Sequence, residues 1–87
     1  MSEMPAVKCF AWIRIGSVNA IVSTIYAHRP GEIEVVYLDE RDRAINEDAV
    51  WRDDGWHFLI PGVCGGYADN YSRLASFVSE LRSGRKR

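Results

Sequence analysis

The residues best suited to chemistry sit in one short stretch, Gly62-Val63-Cys64-Gly65-Gly66. A thiol in a glycine-rich loop just ahead of a helix start has a route to a lowered pKa and an exposed sulfur, which are the requirements of a nucleophile. Cys64 is therefore the reactive-thiol candidate, and a small enzyme built on it is the third functional reading of the chain. Such an enzyme also needs a base. Of the two histidines, His57 falls on the neighbouring strand segment and His28 in a distant turn, and no spacing ties either to Cys64. A small apolar residue at a tight crossing accounts for the same pattern. The glycines would also serve as an anion nest at a helix start, but the lysine and Ser/Thr of a phosphate loop are missing and the spacing is not that of a dinucleotide fingerprint.

Cys9, Cys64, His28 and His57 are all metal-ligand types, yet none occurs in the close pairs that zinc sites use. No metal and no cofactor is expected. The acidic pairs Asp39-Glu40, Glu47-Asp48 and Asp53-Asp54 would support hydrolysis only if two of them met in a cleft, and in turns they are solvated. No catalytic residue is assigned, and the chain reads as a binding protein before an enzyme.

Two other features point to binding. Trp12, Trp51, Trp56, Phe58, Tyr26, Tyr37 and Tyr67 are many aromatics for so small a core. Some must be partly exposed, and clustered aromatics on a small β-domain can hold a peptide, a methylated amine or a stacked base. Trp12, Trp51, Trp56, Phe58 and Tyr67 are the binding candidates. The second feature is charge asymmetry. Between Arg29 and Asp54 nine acids face four arginines, a net of −5, whereas Arg73, Arg82, Arg85, Lys86 and Arg87 against Glu80 give the C-terminal end +4. The two regions can attract each other or meet separate partners. Those five basic residues are the nucleic-acid candidates, with binding that would be nonspecific and salt dependent. Acidic turns beside an aromatic face suit a cationic peptide better than phosphates.

The elements that must position these residues follow from the pattern of apolar residues. With 87 residues the chain supports one core, and at 47% hydrophobic and 26% charged it lies in the globular class. Residues 1–6 read as a flexible lead-in, 7–84 as one domain and 85–87 as a basic tail. Two cysteines make no disulfide framework. The start has no basic run followed by an apolar stretch, and nothing approaches the length of a membrane span, so no membrane association and a cytoplasmic location are expected.

Alternation predicts a strand over 7–15, with Phe10 and Trp12 on a face that a helix or a partner must cover. β-Branched residues predict a second strand over 18–27, and Pro30-Gly31 a type II turn. Further strands are expected over 33–38, 43–52 and 56–60, with a bend or bulge at Asn46-Glu47-Asp48 and a hairpin turn at Asp53-Asp54-Gly55 flanked by Trp51 and Trp56. Tyr71, Leu74, Ala75, Val78 and Leu81 recur at helical spacing, predicting a helix over 69–83 capped by Asp69 or Asn70 and ended near Gly84.

The expected fold is therefore α+β and mainly β: about five antiparallel strands in a meander, curled into a small barrel or left as an open sheet, with one C-terminal helix. In strand count and turn spacing this resembles the SH3-like class of small barrels. The expected function is a noncatalytic module that holds a protein partner or a second copy of itself through its aromatic sheet face. A small nucleic-acid-binding accessory protein is the alternative.

Overall fold

A computed structural model describes residues 4–60 and 65–84. The fold is mainly antiparallel β, a five-strand sheet curled into a half-barrel with one C-terminal helix. Strands β1 (Trp12–Ile15), β2 (Val18–Ile25), β3 (Glu32–Leu38), β4 (Ala44–Arg52) and β5 (Gly55–Phe58) pair in chain order, and β1 approaches β5 across the open side. A two-residue strand, β6 (Gly66–Tyr67), pairs with the start of β4 beside Ile45 and Asn46. Two 3₁₀ turns, Ala68–Asn70 and Ser72–Leu74, lead into α1 (Ala75–Gly84).

Both faces of the central strands are buried, because alternate side chains of a strand point opposite ways. Ile15, Ala20, Val22, Ile33, Val35, Ala49 and Trp56 form the concave core, with Met4, Val7 and Ala11 of the N-terminal segment packed against it. Ile21, Val36 and Ala44 form the opposite face, covered by Ala68, Leu74, Val78 and Leu81. Of the predicted helical stripe, Leu74, Val78 and Leu81 are buried, while Tyr71 and Ala75 are exposed. The regular helix starts later than the stripe implies, at Ala75, because the 3₁₀ turns bring Ala68 and Leu74 onto the sheet first.

Two hairpin turns follow from their residues. In Arg29-Pro30-Gly31-Glu32 the Glu32 amide donates to the Arg29 carbonyl at 3.0 Å and Gly31 takes φ +81°, the type II geometry that Pro-Gly favours. At the β4–β5 turn Asp53 and Asp54 are the central residues, at φ +51° and +59°, and Gly55 already pairs with Arg52. The turn thus sits one residue earlier than the Asp-Gly pair suggests, since Asp tolerates the left-handed region. Trp51 and Trp56 flank it as a cross-strand pair.

The sequence pattern also misplaces the irregularities. β3 and β4 pair without interruption from Glu32↔Val50 to Leu38↔Ala44, so Asn46-Glu47-Asp48 makes no bulge. Each has a partner that lets a polar side chain stay in a regular strand: Asn46 on Glu34, Glu47 on Tyr37 and Asp48 on Tyr26. The bulge lies in β2, at Ser23. A second one shortens β1. The Ala11 amide donates to the Lys8 carbonyl, the Phe10 amide to Val22 O and the Val22 amide to Ala11 O, at 3.0, 2.8 and 2.9 Å. Phe10 and Ala11 together face Val22, with Phe10 at φ +73°. This is the hydrogen-bond pattern of a G1 bulge, whose first position ordinarily holds glycine.

Candidate functional site

The Phe10 bulge sets up an exposed aromatic surface on the helical side. Its ring stacks on Phe77 of α1, centroids 4.4 Å apart at 22°. Two residues on, Trp12 emerges on the same face and rests against the helix end, where a Cβ on Gly84 would overlap the indole. The expected cover for this face is therefore α1, but the cover is partial: Phe10 is 45% and Trp12 37% exposed.

Trp12 opens onto a groove of about 510 Å³ between the β1–β2 turn, the β3–β4 turn and the C-terminal end of α1. Trp12, Val18, Leu38 and Leu81 supply its apolar surface, Ser17 and Asn19 one polar margin, and Asp39, Glu40 and Asp42 the other. The acidic margin is held in shape by Asp39. Its Oδ1 accepts the amides of Arg41 and Arg43, each at 2.9 Å, and its Oδ2 accepts Arg43 Nε at 2.9 Å. The Arg43 amide, aided by these other donors, keeps the Asp39 carboxyl below the usual aspartate range. Glu40, next along, has no ion pair or hydrogen bond among the described residues. The last turn of α1 carries Arg82, a cation that offsets the negative pole of the helix dipole on this margin.

A second polar cluster lies further along the same face. Glu34, 4% exposed, receives Arg73 through two bonds, Nη1 to Oε1 at 2.8 Å and Nη2 to Oε2 at 3.0 Å. The Ser23 bulge adds two hydroxyls, with Ser23 Oγ at 2.9 Å and Thr24 Oγ1 at 3.3 Å from Oε1, and Asn46 Nδ2 donates to Oε2 at 3.3 Å. Burial pushes the Glu34 carboxyl up, but the bonds from Arg73, Ser23 and Asn46 outweigh it and hold the group below the ordinary glutamate range. Beside it the Tyr26 hydroxyl donates to Asp48 at 2.6 Å, and Arg29 lies over the Tyr26 ring at 3.7 Å. Burial, with the Asp48 hydrogen bond, pushes the Tyr26 phenol up to about 12. A cleft of about 340 Å³ runs past Tyr26, Asn46, Asp48, Leu59 and Ile60. Its acids are already engaged, so the cluster serves as an anchor fastening the segment before α1 to the sheet.

The aromatic candidates do not share one face. Trp51 and Trp56 meet edge to face at 5.3 Å and Phe58 lies 5.3 Å from Tyr37, all against the concave core. Trp12 is on the opposite, helical side. Tyr67 stands at the β6 edge, where its hydroxyl accepts Arg43 Nη1 at 2.8 Å. Among the basic candidates, Arg73 is bound to Glu34 and Arg82 donates to the Asp42 carbonyl at 3.0 Å. The basic end thus does meet the acidic middle. Arg85, Lys86, Arg87 and Cys64 lie outside the described residues. Cys9 is exposed, its thiol 3.4 Å from the Ser23 carbonyl oxygen, and His57 Nε2 lies 3.1 Å from Arg52 O. Sequence reasoning missed Phe77 as the partner of Phe10, and Leu38 and Asn19 as neighbours of Trp12 in the groove. Only the pairing of β1 with β2 and the docking of α1 bring them together. No protein-family model, curated protein or solved structure matches the chain.

Proposed function

We propose that this protein is a noncatalytic interaction module whose docking surface is the helix-side aromatic ridge of Phe10, Phe77 and Trp12 together with the groove that Trp12 opens. The observation that carries the reading is Phe10 itself. A phenylalanine stands at a left-handed backbone position suited to glycine, costing about 1 to 2 kcal/mol, and leaves much of its ring in solvent. A strained residue kept on the surface is an indication of function. The five-strand order and the curl support an SH3-like reading of the half-barrel, a fold that hosts many binding functions without specifying one.

Nucleic acid fits less well. Arg73 and Arg82 are committed to Glu34 and to the Asp42 backbone, beside acids that repel phosphates.

Selection of a random peptide library on the immobilised full chain tests the proposal. Enriched peptides whose binding is lost in Trp12→Ala and in Phe77→Ala, both checked for a folded spectrum, are the expected result. Enrichment indifferent to both changes, or none at all, overturns it. A concentration-dependent dimer in light scattering that both changes abolish would make a second copy the occupant.

A further inference from the structure

We infer that the groove beside Trp12 receives a lysine or arginine side chain from a basic segment of a partner protein. This deepens the reading above and rests on it, because it names the chemistry of the partner rather than the surface. Three independent features converge on a cation. The indole of Trp12 lies at the groove wall with one side against Gly84 and 37% of its surface open, and the face of an indole attracts an ammonium or guanidinium group. Opposite it the β3–β4 turn presents Glu40, which has no ion-pair partner among the described residues, on a loop fixed by the bonds to Asp39. Third, the β3–β4 turn already receives one cation beside the groove: Arg82, in the last turn of α1, donates to the Asp42 carbonyl at 3.0 Å.

The groove is also the right shape for this occupant. Its apolar surface of Val18, Leu38 and Leu81 matches the methylene stem of a long cationic side chain, whose head reaches polar surroundings at the tip. At about 510 Å³ it admits such a side chain with the backbone on either side of it. An acidic or phosphorylated segment would meet the Glu40 carboxylate with like charge.

The test uses the full chain labelled with nitrogen-15 and three blocked nonapeptides: alternating lysine and alanine, alternating glutamate and alanine, and alternating leucine and serine. The expected result is that only the lysine peptide shifts the Trp12 indole N–H and the Asn19, Glu40 and Gly84 amides. Its affinity should fall about tenfold in Glu40→Lys, and severalfold between 50 and 500 mM salt, the loss expected of an exposed charge contact. Glu40 is solvent-exposed, so this variant keeps the fold even if Trp12→Ala does not. Shifts of the same amides by the leucine or glutamate peptide alone would overturn the cation inference and leave the docking surface standing. Shifts by none of the three would overturn the inference, and the library selection would then decide the surface separately. Lysine-peptide binding that emerges only when residues 85–87 are deleted would assign the groove to the chain's own basic end and overturn the partner.

Discussion

Phe10 makes the clearest prediction at the scale of one residue, because two effects of opposite sign meet there. Its ring contributes a stack on Phe77, while its backbone pays the left-handed penalty. Phe10→Gly loses the ring and relieves the strain. Phe10→Ala loses the ring and keeps the strain. Alanine should therefore be the less stable of the two by about 1 kcal/mol, the reverse of their usual order in a strand, as read from urea midpoints; an alanine variant as stable as the glycine one would refute the strain. Glu34 and Tyr26 set the pH limits in the same local way. The folded state lowers the Glu34 pKa, so its contribution is present above the ordinary glutamate range and is lost as pH falls below about 4.5. Tyr26 is raised from 10.0 to about 12, so its contribution holds below pH 10 and is lost as pH rises from there to 12. Glu34→Gln should flatten the acid limb of the stability profile and Tyr26→Phe the alkaline limb. Limbs unchanged by these substitutions would place the titrating groups elsewhere.

Among elements, β6 has the narrowest tolerance. Gly65 passes so close to β4 that a Cβ would overlap the Asn46 carbonyl oxygen and Glu47 Cγ. Gly65→Ala must push β6 off β4, at a cost of about 2 kcal/mol, and should erase the cross-strand NOEs between Ile45 and Tyr67. Retained NOEs with an unchanged midpoint would show that β4 gives way instead. That strand also marks where sequence reasoning stops. Long alternating or β-branched runs made β2, β3 and β4 legible, and the Leu74, Val78 and Leu81 stripe revealed the helix. A two-residue strand has no period of its own, and exists only because Gly66 and Tyr67 find Asn46 and Ile45. The bulges were misread for a related reason. Asn46, Glu47 and Asp48 look like a break in isolation, yet partners on neighbouring strands keep them regular, whereas nothing about Ser23 or Phe10 alone announces an extra residue. For the site, Trp12 and the acidic turn were visible as types, and their convergence was not. Glu34 and Arg73, 39 residues apart, went unread as a pair because only the docked helix segment joins them.

At the scale of the whole molecule, the two cores share their strands. Val22 and Val35 serve the concave side, while their neighbours Ile21 and Val36 serve the helical side. The Glu34–Arg73 pair adds a polar tie between the sheet and the segment leading into α1. Neither core can be exposed without loosening backbone that the other needs, so the half-barrel and helix should unfold as one unit. Leu74, fully buried on the helical side, probes this. Leu74→Ala should cost about 3 kcal/mol. Its effect should reach the concave side in full, lowering the denaturation midpoint of Trp51 and Trp56 fluorescence as much as that of helical circular dichroism. The three tryptophans contribute to one emission signal, so the comparison is cleanest in a Trp12→Phe background, where the remaining two both report on the concave core. Coincident curves in both proteins are the expected result. A helical signal lost at lower denaturant than the fluorescence would mean that α1 undocks from a half-barrel able to stand alone. The groove at Trp12 would then depend on that docking equilibrium as well as on its charge.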